Sequence, residues 1–140
     1  MKKEILTEIQ INASPEKVWA VLSDNAQWEA WNPLIIKSLG RFAAGEKIAN
    51  TMVIEGQKPM TIGPKVLVAE PAKELRWLGR LLMPGIFDGE HYFKLEAKDG
   101  GTRLVHGEHF NGILLFVMDF DKVLKGFVAL NEALKKRVEA

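Results

Sequence analysis

The sequence predicts an α+β fold: a curved antiparallel sheet of about seven strands wrapped around a long C-terminal helix, with two short helices after the first strand. Three observations carry this. Residues 35 to 111 read as strand, turn, strand with short connections, so neighbouring strands should pair antiparallel. After Gly112, the residues Phe116, Phe120, Val123, Phe127, Leu130 and Leu134 recur at spacings of three and four, the period of a helix. A sheet and a helix that each carry one apolar face must bury those faces on each other.

Each element has its own local reason. Residues 3 to 11 alternate as a strand, with Ile5, Ile9 and Ile11 on one side. Ser14-Pro15-Glu16 then starts a helix: a hydroxyl for the N-cap, proline at the first helical position and an acid in the first turn. Val18, Trp19, Val21 and Leu22 give that helix its apolar face. Trp28, Trp31 and Pro33 follow in a compact helical corner that should end before the proline. Strands are expected near 35–42, 46–54, 60–69, 74–81, 88–97 and 102–110, separated by Gly, Pro, Asp and Asn. Lys98-Asp99-Gly100-Gly101 is the clearest hairpin, because Asp-Gly supplies the positive φ angles of a tight type I′ turn. The final helix ends in Lys135, Lys136 and Arg137, which suit the negative end of its dipole.

Composition excludes several chemistries. The chain has 140 residues, no cysteine, and 19 basic against 18 acidic side chains. The absence of cysteine removes disulfide frameworks, zinc-thiolate sites and thiol nucleophiles. A net charge of +1 without basic clustering argues against nucleic acid as a partner. No phosphate-binding glycine loop or nucleophile elbow occurs, and no cofactor is implied. The basic N-terminus lacks the apolar run of a signal peptide and no stretch has the length of a membrane span, so a cytoplasmic location is expected.

All three histidines fall between residues 91 and 109. With the turn fixed at Asp99-Gly100, Leu95 should oppose Leu104, Phe93 should oppose His106, and His91 should oppose Glu108. The two-residue period puts all of them, with Phe110, on one concave face. Glu90 and His109 should face each other on the opposite, solvated side. A metal site through His106 and His109 fails because residues three apart in a strand point to opposite faces. A site of His91, His106 and Glu108 remains open as a minority reading, and no metal is called. Two other readings of that trio stay open: mutual satisfaction of buried polar groups, and acid/base or ligand-orienting work inside a cavity.

The chain resembles a known superfamily through Ala13-Ser14-Pro15-Glu16-Lys17-Val18-Trp19, Trp28-Glu29-Ala30-Trp31-Asn32-Pro33 and Leu75-Arg76-Trp77, continuing with the Gly89 to Leu95 strand and Gly101-Thr102-Arg103-Leu104 before the last helix. These are similar to the START/Bet v 1-like superfamily, the helix-grip fold, and within it to the polyketide cyclase/dehydrase-like SRPBCC proteins. The resemblance covers residues 1–140 as a single domain. It implies a cavity between sheet and C-terminal helix that holds a small hydrophobic or amphipathic molecule, such as a lipid, isoprenoid or polyketide-like compound.

In a meander, alternate turns fall at the same end, so the connections near 55–59, 82–86 and 111–113 should cluster. The apolar stretch 81–87 would then be either a lid or core. The expected ligand-binding residues are Trp77, His91, Phe93, His106, Glu108, Phe110, Phe116, Phe120 and Phe127. His91, His106 and Glu108 are also the candidates for catalysis in the alternative, a cofactor-independent cyclase or dehydratase. A second alternative is a protein-interaction module of chaperone-activator type. Either a monomer or a weak homodimer is compatible with the sequence.

Overall fold

The computed structural model describes residues 1–81 and 83–140; Leu82, within the 81–87 stretch, lies outside the described residues. Strand β1 (Lys2–Ile11) is followed by helices α1 (Pro15–Leu22) and α2 (Trp28–Trp31). Strands β2 (Ile35–Leu39), β3 (Ala49–Met52), β4 (Met60–Ile62), β5 (Lys65–Glu70), β6 (Glu74–Leu81), β7 (Phe87–Lys98) and β8 (Gly101–Asn111) come next, and α3 (Phe120–Glu139) closes the chain. The cap expected at α1 is present: the Ser14 hydroxyl accepts from Lys17 N–H at 3.2 Å, with Pro15 opening the helix.

The strands are hydrogen-bonded as a five-stranded sheet in the order β1-β8-β7-β6-β5 and a three-stranded sheet in the order β2-β3-β4. This divides the single sheet expected from the meander. Residues expected as one strand over 60–69 form β4 and β5, because Gly63-Pro64 interrupts them and proline has no N–H for a ladder. Backbone bonds from Ile48 N–H to the Pro64 carbonyl and from Val66 N–H to the Glu46 carbonyl tie the two sheets together.

At the β7–β8 hairpin, Asp99 and Gly100 both take positive φ, 51° and 77°. The resulting register pairs Leu95 with Leu104, Phe93 with His106 and His91 with Glu108. Glu90 does oppose His109, yet each finds another partner. Glu90 meets Arg76 at 2.6 Å, and His109 meets Glu4 at 3.4 Å.

The last helix begins later than its apolar period implied. Ile113–Val117 form a separate 3-10 turn, and Met118 is extended with ψ 142°, which ends that turn. Asp119 then caps α3 by accepting from Lys122 N–H. Phe116 therefore leaves the helical stripe and is 82% exposed. The rest of the stripe faces the sheet, and Phe127, Leu130, Leu134 and Val138 are buried against Phe93, Leu95 and Leu104 in one core. Trp28 anchors the other side of that core, with its ring 5.4 Å from Phe42, 6.2 Å from Trp77 and 6.3 Å from Trp31. Its indole N–H donates to the Leu22 carbonyl, and the Asn32 side chain accepts from Leu34 and Ile35 N–H, which locks the corner into β2.

Phe127 is fully buried and stacks on His106 with ring centroids 4.3 Å apart. Truncating it removes core contacts from both α3 and the sheet. Phe127→Ala is expected to cost about 3–5 kcal/mol, read as a lower midpoint in urea with an unchanged slope.

Candidate functional site

A cavity of about 270 Å³ lies between the sheets and the start of α3. Its walls come from β3 and β4 (Met52, Met60, Ile62), the β3–β4 connection (Ile54, Gln57, Lys58), Leu81, Phe87, Glu108 and Phe110. Leu114, Val117, Met118, Asp119 and Val123 complete them from the segment leading into α3. The connections expected to cluster do meet around it. Ile113 N–H donates to the Gly85 carbonyl and Leu114 N–H to the Ile86 carbonyl, so the turn after β6 is fastened to the turn after β8. Leu81 and Phe87 flank the 81–87 stretch and both face the cavity, whereas Met83 is exposed.

Glu108 is the buried polar side chain of this cavity, with 8% of its surface exposed. Behind it runs a chain of buried groups. Glu108 Oε1 lies 3.1 Å from His91 Nδ1, and His91 Nε2 lies 2.6 Å from His106 Nε2. His106 Nδ1 meets Asn131 Oδ1 at 2.8 Å, and Asn131 Nδ2 donates to Thr7 Oγ1 at 2.8 Å. Thr7 in turn donates to the His106 carbonyl at 2.6 Å. The chain thus links β8, β7, α3 and β1.

Aromatic rings enclose the histidines. His106 is sandwiched between Phe93 and Phe127, each with its centroid 4.3 Å away. His91 stacks on Trp77 at 4.7 Å and on Phe127 at 4.9 Å. Burial depresses the His91 imidazole to about 3, and burial together with His91 holds His106 well below its ordinary range. Burial pushes the Glu108 carboxyl up to about 8. Burial thus favours the neutral form of both groups across the 3.1 Å contact between Glu108 and His91.

The nine expected binding residues separate into groups. Glu108 and Phe110 line the cavity. Trp77, His91, Phe93, His106 and Phe127 form the packed aromatic layer behind it. Phe120, at the first turn of α3, packs edge-on to Phe110 at 5.4 Å. Phe116 stands outside on the 3-10 turn. In the open metal reading, Glu108 and His106 lie at opposite edges of the His91 ring, so the three do not converge on one point. Among the described residues, no group of three or more His, Asp or Glu is arranged to hold a metal ion.

Several residues escaped the sequence reading. Asn131 and Thr7 complete the chain, and Met52, Met60 and Ile62 of β3 and β4 form part of the cavity wall. Gly89 was another: a methyl there would overlap Glu108 Oε2, so this position must be glycine for the carboxyl to sit where it does. Asn131 had a legible signal, a polar residue at a buried position of the helical stripe.

Residues 3–139 match the family model described as polyketide cyclase / dehydrase and lipid transport. The chain belongs to this family. It lies within the polyketide cyclase-like branch of the SRPBCC, Bet v 1-like superfamily, as the resemblance implied. Solved structures share the fold of this family member at low identity. Protein MLL2253 from Mesorhizobium loti is 21% identical with a TM-score of 0.75, the match covering 98% of this chain and 97% of that one. The Zhui aromatase/cyclase from Streptomyces sp. R1128 is 15% identical with a TM-score of 0.79, covering 99% and 94%. Major latex-like protein 151 from Panax ginseng is 9% identical with a TM-score of 0.81, covering 99% of both chains. No curated protein matches the sequence. Among the described residues, no helix is long and apolar enough to cross a membrane.

The perturbed groups give this family member a defined pH response. Below the ordinary histidine value of 6.5, the unfolded chain binds protons that buried His91 and His106 refuse, so stability climbs as pH rises toward 6.5. Folded Glu108 keeps a proton that the unfolded chain releases above 4.5, so its contribution falls as pH rises to about 8. Above 6.5 the glutamate acts alone. Stability should peak near pH 6.5 and fall toward pH 8 by up to about 1.4 kcal/mol per pH unit, read as a melting temperature that is highest near pH 6.5. Glu108→Gln should remove the alkaline decline and leave the acid one.

Proposed function

We propose that residues 1–140 form one domain that binds a small hydrophobic or amphipathic molecule in the cavity between the sheets and the start of α3. The observation that carries this reading is an apolar chamber of about 270 Å³ whose buried wall holds a single carboxyl, Glu108. Burial of apolar surface against Met52, Ile54, Ile62, Phe87, Phe110 and Val123 supplies most of the affinity, and Glu108 fixes orientation. The volume lies below the ~300–1,000 Å³ of drug-sized ligand sites. It suits a compact ring system or a short chain better than a long lipid. The family description names lipid transport beside cyclisation and dehydration, and an apolar cavity serves each of these.

The second reading, a cyclase or dehydratase, is favoured by one feature. A carboxyl with a pKa of about 8 facing an apolar chamber is equipped to donate a proton near neutral pH. In that reading the proton held between Glu108 and His91 is the one delivered to substrate, and His106 positions the pair from behind.

Met60 is 46% exposed on the cavity rim. Met60→Trp should narrow the entrance without disturbing the core. Titration with the neutral fluorophore N-phenylnaphthylamine should show saturable binding to the native chain and about tenfold weaker binding to the variant, with equal urea midpoints. Equal affinities for the two proteins would remove the cavity as the binding site. Native mass spectrometry of the gently purified protein would identify any retained ligand.

A further inference from the structure

The chain behind Glu108 has one self-consistent direction. A backbone carbonyl only accepts, so Thr7 must donate to that of His106. Thr7 Oγ1 then accepts, which requires the amide nitrogen of Asn131 beside it and places Asn131 Oδ1 against His106 Nδ1. His106 Nδ1 therefore carries the proton, and its Nε2 accepts from His91 Nε2–H. With the His91 ring held neutral by its burial, Nδ1 is left with a lone pair facing Glu108 Oε1, 3.1 Å away. An ionised carboxylate would set lone pair against lone pair inside a buried site. A carboxylic acid donates there and completes the series.

We infer that Glu108 stands at the cavity wall as a neutral acid, and that the cavity selects neutral apolar molecules bearing a hydroxyl, such as a phenol or alcohol, over both carboxylates and ammonium ions. The proton on Oε1 is committed to His91. Oε2, on the side of Gly89 and Phe87, is left as an acceptor, and Phe87 itself lines the cavity. A ligand hydroxyl donates to that oxygen. A ligand carboxylate has no proton to offer and must shed its hydration in an apolar chamber. An ammonium group would require Glu108 to ionise against the His91 lone pair. The other ionisable groups facing this space are Lys58 of the β3–β4 connection and Asp119 before α3, both exposed, and His91 of β7 behind the carboxyl. The ligand class rests on the cavity reading above; the protonation of Glu108 does not.

Three probes of one shape test the inference: naphthalenemethanol, naphthoate and naphthalenemethylammonium, titrated calorimetrically into the full chain near pH 6.5. The alcohol is expected to bind at least about tenfold more tightly than either ion, the cost of burying a group without its partner. Raising the pH above 8 ionises Glu108 and should narrow the advantage of the alcohol over the ammonium probe in the native chain, and Glu108→Gln should abolish that change. In parallel, the infrared spectrum at pH 6.5 should contain a protonated-carboxyl stretch that is missing from Glu108→Gln. A preference for the ammonium probe, or no such band, overturns the inference. If none of the three binds while the band is present, the cavity reading and its ligand class fall together and the neutral acid stands.

Discussion

The pairing of β7 with β8 sets His91, His106 and Glu108 on the face of the sheet that α3 covers, and the rest of the site is a response to burying them there. Three ionisable side chains in a core would each lose several kcal/mol of hydration if left charged or unpaired. Neutralisation and a continuous hydrogen-bonded chain remove that cost. The histidines stay neutral, the glutamate keeps its proton, and each of their ring nitrogens has a polar atom within 3.1 Å. The chain also acts as a registry device. Asn131 reaches His106 from α3 and Thr7 reaches it from β1, so rotation or sliding of the helix would break bonds that water cannot replace.

Aromatic stacking divides the space between helix and sheet. Phe93, His106 and Phe127 stack face to face, with Trp77 and His91 beside them, and leave that half of the interface solid. The cavity begins where the stack ends, at Glu108 and Phe110. The helix-grip fold thus supplies a packed layer that tunes one carboxyl and an apolar chamber that the carboxyl faces. The shared fold of an aromatase/cyclase and a latex protein at identities of 15% and 9% shows how little the frame itself dictates chemistry.

Much of this was legible in residue order. The Asp99-Gly100 turn and the two-residue period determined the register, and the register put the trio on one face. Ser14-Pro15 and the helical spacing from Phe120 onward determined the helices at the two ends of the chain. The apolar period also ran through Phe116, which local chemistry overrode: Asp119 caps a new helix and Met118 is extended. Periodicity reports which residues share a face, and not where a cap restarts the helix.

Tertiary structure decided which of those residues meet a cavity. Sequence alone determined the fold, the concave face and the set of polar residues on it, because these follow from short-range turn geometry and strand alternation. It did not determine that Trp77, Phe93 and Phe127 would pack solidly together while Met52, Met60 and Ile62 of a separate small sheet would join Phe87, Phe110 and Val123 around a cavity. Nor did it determine that Asn131 and Thr7, 124 positions apart, would orient the protons of two histidines. Those outcomes depend on how α3 docks across strands distant in sequence, and only close packing of the whole chain sets that docking.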